Sequence, residues 1–140
     1  SEMCIRDSGI PDKAHEFKKL VNESIGIIIS LAEHNGSYTS AFKNIYDWIS
    51  VIETTVWSNK PLILLSTSDG QNAGKTVLQA ALSRFSRQSK QEIPHFSLPN
   101  FNENFSDTDG IINKKLSEEL DKQISIFSSQ VDNLLHSSND

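Results

Sequence analysis

Residues 24–47, SIGIIISLAEHNGSYTSAFKNIYD, run without a break from an apolar segment through a polar loop into an amphipathic segment. The isoleucines of residues 25–29 form a continuous β-branched run, which predicts a strand covered by helices on both faces of a parallel sheet. Ser37 is expected to cap the helix that follows the loop. The apolar residues of that helix recur at helical spacing: Tyr38, Ala41, Phe42, Ile45, Ile49 and Ile52.

The polar loop is the first candidate for a binding site. A loop between the carboxyl end of a parallel strand and the start of a helix is where exposed N–H groups and the topology of open α/β sheets place ligands. The predicted site consists of all six residues of this loop: Ala32, Glu33, His34, Asn35, Gly36 and Ser37.

A second unit of the same kind follows. PLILLST, residues 61–67, predicts another buried parallel strand, with Pro61 at its first position, where proline is tolerated. The turn STSDGQNAGKT, residues 66–76, leads into a helix with one apolar face. We expect the two loops to lie side by side at one edge of the sheet, which favours a ligand that both loops contact.

The second turn also resembles a phosphate-binding P-loop, but its spacing is wrong. A P-loop needs four residues between its two glycines, whereas only the residues 71–73 separate Gly70 from Gly74. Asp69 stands where the first glycine should be, and its carboxylate would repel a phosphate. Lys75 is therefore not expected to bind nucleotide phosphate. Ordinary turn chemistry remains the alternative for either loop alone, since Asn, Gly, Ser and Asp are common turn residues.

Residues 32–48, AEHNGSYTSAFKNIYDW, resemble the PEYNGSxPGxLKNAIDW signature of the NAD(P)H-dependent FMN reductases, a group of flavodoxin-like flavoproteins that includes quinone, chromate and azo-compound reductases. Ala32 replaces the usual proline and His34 the usual tyrosine. The residues that match in register are Glu33, Asn35, Gly36, Ser37, Lys43, Asn44, Asp47 and Trp48. The resemblance implies a flavodoxin-like three-layer α/β/α fold with a parallel sheet, and contact between residues 32–37 and the isoalloxazine ring of FMN.

The same resemblance extends to the second loop. The family has a TSPGGxGG-like turn that contacts the flavin, and Thr67, Ser68, Gly70 and Gly74 match it, with Asp69 in place of proline. It implies flavin contacts at Thr67, Ser68 and Gly70, NAD(P)H as co-substrate, a small-molecule electron acceptor and a homodimer or homotetramer. The alternative is a non-catalytic flavodoxin-like module that binds flavin or carries electrons, or an inactive fragment.

Charge and composition exclude several other classes of function. A formal net charge of -5 and the absence of a basic run argue against a nucleic-acid or anionic-membrane surface. No apolar stretch is long enough to span a bilayer, and Cys4 is the only cysteine, which favours a cytoplasmic protein without disulfides. The four histidines lack ligand spacing, so no metal site is expected. No catalytic side chain is expected either, because a flavin would carry the chemistry.

Three further elements are predicted. Residues 12–22 suit a helix with Phe17, Leu20 and Val21 facing inward, and residues 95–98 suit a short strand. The last helix should run from about Asn113 to Leu135. Its apolar stripe consists of Leu116, Leu120, Ile124, Phe127, Val131 and Leu134. Trp57, in the junction of residues 53–60, is expected at the rim of the core, with an interface role as the alternative.

The N-terminal residues 1–9, SEMCIRDSG, look foreign to the rest of the chain, and they lack the basic start and apolar core of a signal peptide. The FMN reductases that this sequence resembles begin with a strand and a loop that holds the FMN phosphate. Nothing before Ile25 has that pattern. We therefore expect residues 1–9 to be non-native and residues 10–140 to be a partial flavodoxin-like domain whose first two strands are missing. A native variant N-terminus is the alternative.

Overall fold

The computed structural model describes residues 9–137. Residues 1–8, including Cys4, lie outside the described residues, so the prediction of a non-native N-terminal segment is not tested by the structure. The elements in chain order are α1 (Asp12–Glu23), β1 (Ile27–Leu31), β2 (Glu33–His34), β3 (Ser37–Tyr38), α2 (Ser40–Ile52), β4 (Leu62–Thr67), α3 (Lys75–Ser86), β5 (His95–Leu98), α4 (Phe101–Asn104), β6 (Phe105–Ser106), β7 (Gly110–Ile111) and α5 (Lys114–Ser137).

Strands β1, β4 and β5 form a parallel sheet in the spatial order β1-β4-β5. Its register aligns Ile29 with Leu64 and Ser66 with Ser97. Side chains of α1, α2 and α3 pack on the face that carries Ile29 and Leu64, and α5 lies against the opposite face. The predicted α/β arrangement, with a parallel sheet between helices, is confirmed.

The core on the first face contains a cluster of aromatic rings. The ring centroids of Tyr46 and Trp57 each lie close to that of Phe85, at 5.4 and 5.3 Å respectively. Trp57 is only 6% exposed, so it lies inside the core and the predicted rim position is wrong. Burying each ring contributes about 1.5–3 kcal/mol, which fixes the junction before β4 against α2 and α3.

The prediction that β1 is covered on both faces is wrong for one of them. Ile29 and Leu31 are buried, whereas Ile28 on the other face is 65% exposed. Ile25 precedes the strand and is also exposed. The reason is position: among the described strands, β1 is paired on one side only, so it forms an edge of the sheet. Helix α5 reaches this edge incompletely and leaves a cavity of about 400 Å³ lined in part by Ile28 and Phe127.

The inward face of α1 also differs from the prediction. Phe17 and Leu20 are exposed, and Ala14, Lys18 and Val21 are buried. The helix is turned in this way because the ammonium group of Lys18 finds three acceptors. Its Nζ donates to the carbonyl oxygens of residues 55 and 56, both at 2.9 Å, and to the hydroxyl of residue 58 at 2.8 Å.

Replacing Lys18 with methionine is expected to lower the free energy of unfolding by about 2–4 kcal/mol, because the change keeps the volume but leaves buried carbonyl oxygens without a donor. Lys19→Met is the matched control, since Lys19 is exposed and lies 3.9 Å from Glu23. Equilibrium unfolding in urea compares the two variants. Equal stability of both would show that the Lys18 contacts contribute nothing.

The remaining boundaries are close to those predicted. Strand β5 has the predicted bounds, and α5 runs from Lys114 to Ser137. The predicted cap of α2 is wrong: Ser37 lies in β3, and the Oγ1 of Thr39 accepts the N–H of Phe42 at 3.2 Å. The cap moves because Ser37 pairs with the strand before it, which leaves Thr39 as the last extended residue before the helix.

Candidate functional site

The first predicted loop is a two-residue β-hairpin. Glu33 pairs with Tyr38 and His34 pairs with Ser37, so β2 and β3 run antiparallel. Between them Asn35 has a φ of 53° and Gly36 a φ of 76°. Two positive φ values in succession define the type I′ turn, for which Asn-Gly is the preferred sequence. This dipeptide was the signal in the sequence that could have predicted the hairpin.

The second predicted loop follows β4 and is held both by its own polar groups and by the chain at the end of β5. The Oγ1 of Thr67 donates to the carbonyl oxygen of Leu98 at 2.7 Å, so this hydrogen bond joins the ends of β4 and β5. The N–H of Gly70 donates to the Oγ of Ser68 at 3.3 Å. The loop therefore has a fixed backbone and leaves Gly70 exposed.

A third loop, which the sequence analysis did not assign to the site, supports the second. The N–H of Asn100 donates to the carbonyl oxygen of Gly70 at 3.1 Å, and the N–H of Phe101 donates to that of Ser68 at 3.0 Å. These bonds bring the chain after β5 to the same edge of the sheet. A sequence pattern does not predict them, since they join backbone groups whose side chains play no part.

The turn into α3 depends on a close approach between Gly74 and Ser66. Gly74 has a φ of 72°, and a Cβ built on it would lie 3.0 Å from the Cβ of Ser66. The Oγ of Ser66 donates to the carbonyl oxygen of Ala73 at 2.7 Å and lies 2.8 Å from the Oγ of Ser97. Only glycine fits at the start of α3 without strain.

The side chain of Glu33 joins the two predicted loops. Its Oε1 accepts the N–H of Val77 at 2.8 Å, and its Oε2 accepts the Nδ2 of Asn72 at 3.4 Å. Val77 is the third residue of α3, where a backbone N–H has no acceptor within the helix. A carboxylate at this end of a helix is also favoured by the helix dipole. The prediction that the two loops lie side by side is confirmed.

The other predicted site residues line the same edge of the sheet, and most are exposed. Ser68 and Glu33 are half-buried. A Cβ built on Gly36 would meet no atom within 4 Å, and one built on Gly70 would meet only the Oγ of Ser68 at 3.9 Å. The exposed residues are Ala32, His34, Asn35, Gly36, Ser37, Thr67 and Gly70. The backbone at both glycines is therefore open to a flat ligand, and flavin contact at these residues stays a prediction.

The start of α3 is an unfavourable place for a phosphate. The N-terminus of α3, where a P-loop would hold a phosphate, already carries the carboxylate of Glu33 against the Val77 N–H. An added phosphate would face this carboxylate and that of the exposed Asp69. The local geometry thus adds a second reason, besides the spacing, against a P-loop at Lys75.

Tyr38 is a residue near the site that the sequence analysis placed only in the apolar stripe of a helix. Its ring stacks on that of Phe42 with centroids 5.3 Å apart. Burial raises the pKa of the Tyr38 hydroxyl, Tyr46 raises it further, and the positive charge of Arg84 opposes the rise. The hydroxyl therefore stays protonated at neutral pH, and the ring anchors the hairpin to α2.

Neither a metal cluster nor a membrane-spanning helix is present within residues 9–137. No group of three or more His, Cys, Asp or Glu side chains in this part of the chain is placed to hold a metal ion. None of the helices described there has the length and apolar character needed to cross a membrane.

A family model described as NADPH-dependent FMN reductase matches residues 1–103, which is more than half of the chain. The chain belongs to this family. It is 34% identical over 77 residues to a 2-hydroxy-1,4-benzoquinone reductase of Burkholderia sp., an alignment that covers 54% of this chain and 42% of that protein. It is 30% identical over 66 residues to an NADPH:quinone oxidoreductase of Arabidopsis thaliana, covering 47% of this chain and 33% of the relative. Each alignment thus covers less than half the length of its curated relative.

A solved structure supports the fold. The NAD(P)H:(acceptor) oxidoreductase FerB of Paracoccus denitrificans, a flavoenzyme, matches with a TM-score of 0.69 over 90% of this chain and 71% of that one. The two sequences are 17% identical, so this likeness concerns the fold alone. Together with the parallel sheet, it confirms the predicted flavodoxin-like α/β fold.

Proposed function

We propose that this chain is the ring-binding part of an NAD(P)H-dependent oxidoreductase that uses FMN to reduce a small-molecule acceptor. One observation carries the proposal: the loops after two adjacent parallel strands are joined through Glu33 and expose backbone at Gly36 and Gly70. That is the place where open α/β sheets bind ligands. Membership of the NADPH-dependent FMN reductase family supplies the identity of the ligand.

Bound FMN would supply the redox chemistry, which is hydride transfer from NAD(P)H and electron transfer to the acceptor. The protein has to hold the ring, leave one of its faces open and limit access of water. We expect the type I′ turn at Asn35 and Gly36 and the fixed backbone at Ser68 and Gly70 to supply these ring contacts. Within the site no side chain is assigned an acid or base role.

The acceptor we propose is a quinone or a related compound. The support is that both curated relatives are named as quinone reductases, one for 2-hydroxy-1,4-benzoquinone. A cytoplasmic location and a homodimer or homotetramer of the full-length protein belong to the same proposal. The location rests on the sparse cysteine content and the oligomer on the resemblance to the family.

An electron-carrier module that binds flavin without oxidising nicotinamide is the second candidate, because backbone exposed at Gly36 and Gly70 would serve flavin binding alone equally well. Anaerobic oxidation of NADPH and NADH, with FMN and a benzoquinone added, separates the two. We expect nicotinamide oxidation that requires protein, FMN and quinone together. FMN binding without nicotinamide oxidation would indicate the carrier, and no FMN binding would contradict both.

Gly36→Ala is expected to weaken FMN binding about tenfold or more, because a methyl group would stand where the ring approaches the backbone. Gly110→Ala is the matched control: Gly110 has a φ of 71°, also faces open space, and lies in the hairpin of β6 and β7. Quenching of FMN fluorescence measures both affinities. Equal affinities of the two variants would contradict ring contact at Gly36.

A further inference from the structure

We propose that Glu33 is a positioning residue whose carboxylate locks the β2–β3 hairpin to the start of α3, so that the two loops form one rigid site. The proposal rests on the proposed function only in naming the FMN ring as the ligand that gains from this rigidity. The lock consists of two bonds, from the Val77 N–H to Oε1 at 2.8 Å and from the Asn72 Nδ2 to Oε2 at 3.4 Å.

Both ends of the lock are anchored in the core. On the hairpin side, Glu33 pairs with Tyr38, whose ring stacks on Phe42, and both rings pack against the core cluster. On the helix side, Val77 is fully buried within that cluster. A carboxylate held between two anchored elements fixes the distance between them. The exposed Asn35 and Gly36 are thereby held at a fixed position relative to the loop after β4.

The contact at residue 33 requires a side chain that is long enough to place an acceptor oxygen beside the Val77 N–H. The Val77 N–H has no acceptor within α3, so it needs one from outside the helix. Glutamine keeps an oxygen in reach of that N–H, whereas alanine offers none. Aspartate keeps the charge but is shorter by one methylene and does not reach. The order expected for preserving the lock is therefore glutamate, then glutamine, with aspartate and alanine last.

The control variant removes a different carboxylate. Glu53 lies 3.3 Å from the Nζ of the buried Lys18 and belongs to the junction that precedes β4, away from both loops. Glu53→Ala therefore removes a charge and an ion pair without touching the lock. Any effect shared by Glu33→Ala and Glu53→Ala reflects general destabilisation.

The first measurement needs no flavin. Amide hydrogen exchange at Val77 is followed by NMR on the 140-residue chain at a concentration low enough to keep it monomeric. It should become about ten- to hundredfold faster in Glu33→Ala, as expected for the loss of one hydrogen bond to a charged group. Amide signals of residues 34–37 and of residues 68–74 should shift together. Glu33→Gln should stay close to the wild type, and Glu53→Ala should leave Val77 exchange unchanged relative to its neighbours.

The second measurement is FMN affinity by fluorescence quenching, where Glu33→Ala should lose about tenfold more than Glu53→Ala and Glu33→Gln should recover most of the loss. Unchanged Val77 exchange in Glu33→Ala overturns the lock. Faster exchange with unaltered FMN affinity overturns its positioning role. If the wild type binds no FMN, the proposed function fails, and the lock is then judged from the amide shifts of Glu33→Ala alone. Shifts confined to α3 overturn the lock. Shifts in both loops support it. Should Glu33→Ala fail to fold, Glu33→Asp takes its place.

Discussion

Replacing Gly74 with alanine is expected to destabilise the protein by about 2–4 kcal/mol. Two costs add. The left-handed backbone at a φ of 72° costs an alanine about 1 kcal/mol, and the new Cβ would lie 3.0 Å from the Cβ of the buried Ser66. Overpacking of this kind costs about 1–3 kcal/mol, since neither β4 nor α3 can move without disturbing the core.

Gly110→Ala separates the two costs. Gly110 has nearly the same φ, 71°, but a Cβ there meets nothing within 4 Å. This variant should show only the backbone cost of about 1 kcal/mol. Equilibrium unfolding in guanidinium chloride gives both values. If Gly74→Ala were no worse than Gly110→Ala, the close approach to Ser66 would have no energetic weight.

The sequence predicted the secondary structure of this chain better than its exposure. An apolar run such as that of β4 and a helical stripe such as that of α3 each have a single local interpretation, and both elements formed as predicted. The run of β1 predicts a strand equally well, but it carries no information on how many neighbours the strand has. The exposure of Ile28 follows from the number of strands that neighbour β1, and that number depends on the whole sheet.

The inward face of α1 shows a different limit. Phe17 and Leu20 are the residues that a hydrophobic pattern turns inward, yet Lys18 is 3% exposed. Burial of a lysine is unfavourable unless its ammonium group finds acceptors, and these come from a junction 37 or more residues further along the chain. No local pattern contains that information.

The position of the two loops was predicted from the sequence, but the contacts that join them were not. The two loops were located by their strands and helices, and their adjacency follows from parallel pairing of β1 with β4. The hairpin at Asn35 and Gly36 could have been predicted from its dipeptide. The direction of the Glu33 side chain could not, because its partner Val77 lies 44 residues away and offers only a backbone group.

The open edge of β1 leads to the prediction with the largest change in behaviour. Among the described strands β1 has a neighbour only on the β4 side, and its own residue Ile28 is 65% exposed. An unpaired edge with apolar side chains pairs readily with another chain. We therefore expect the 140-residue chain to self-associate or aggregate as its concentration rises. Weak FMN binding is expected as well, because the contacts proposed for the described loops are with the ring, and no phosphate contact is assigned to them.

Ile28→Lys should shift the chain from self-associated species to monomer, because a lysine on an edge strand blocks pairing by charge repulsion and desolvation. Leu20→Lys is the matched control: Leu20 is 66% exposed, as apolar as Ile28, and lies on helix α1 instead of the sheet edge. Sedimentation velocity at increasing concentration compares both with the wild type. Edge pairing requires that only Ile28→Lys restores the monomer. Equal effects of the two variants would attribute association to general surface hydrophobicity. A wild-type chain that stays monomeric at all concentrations would contradict pairing through the edge of β1.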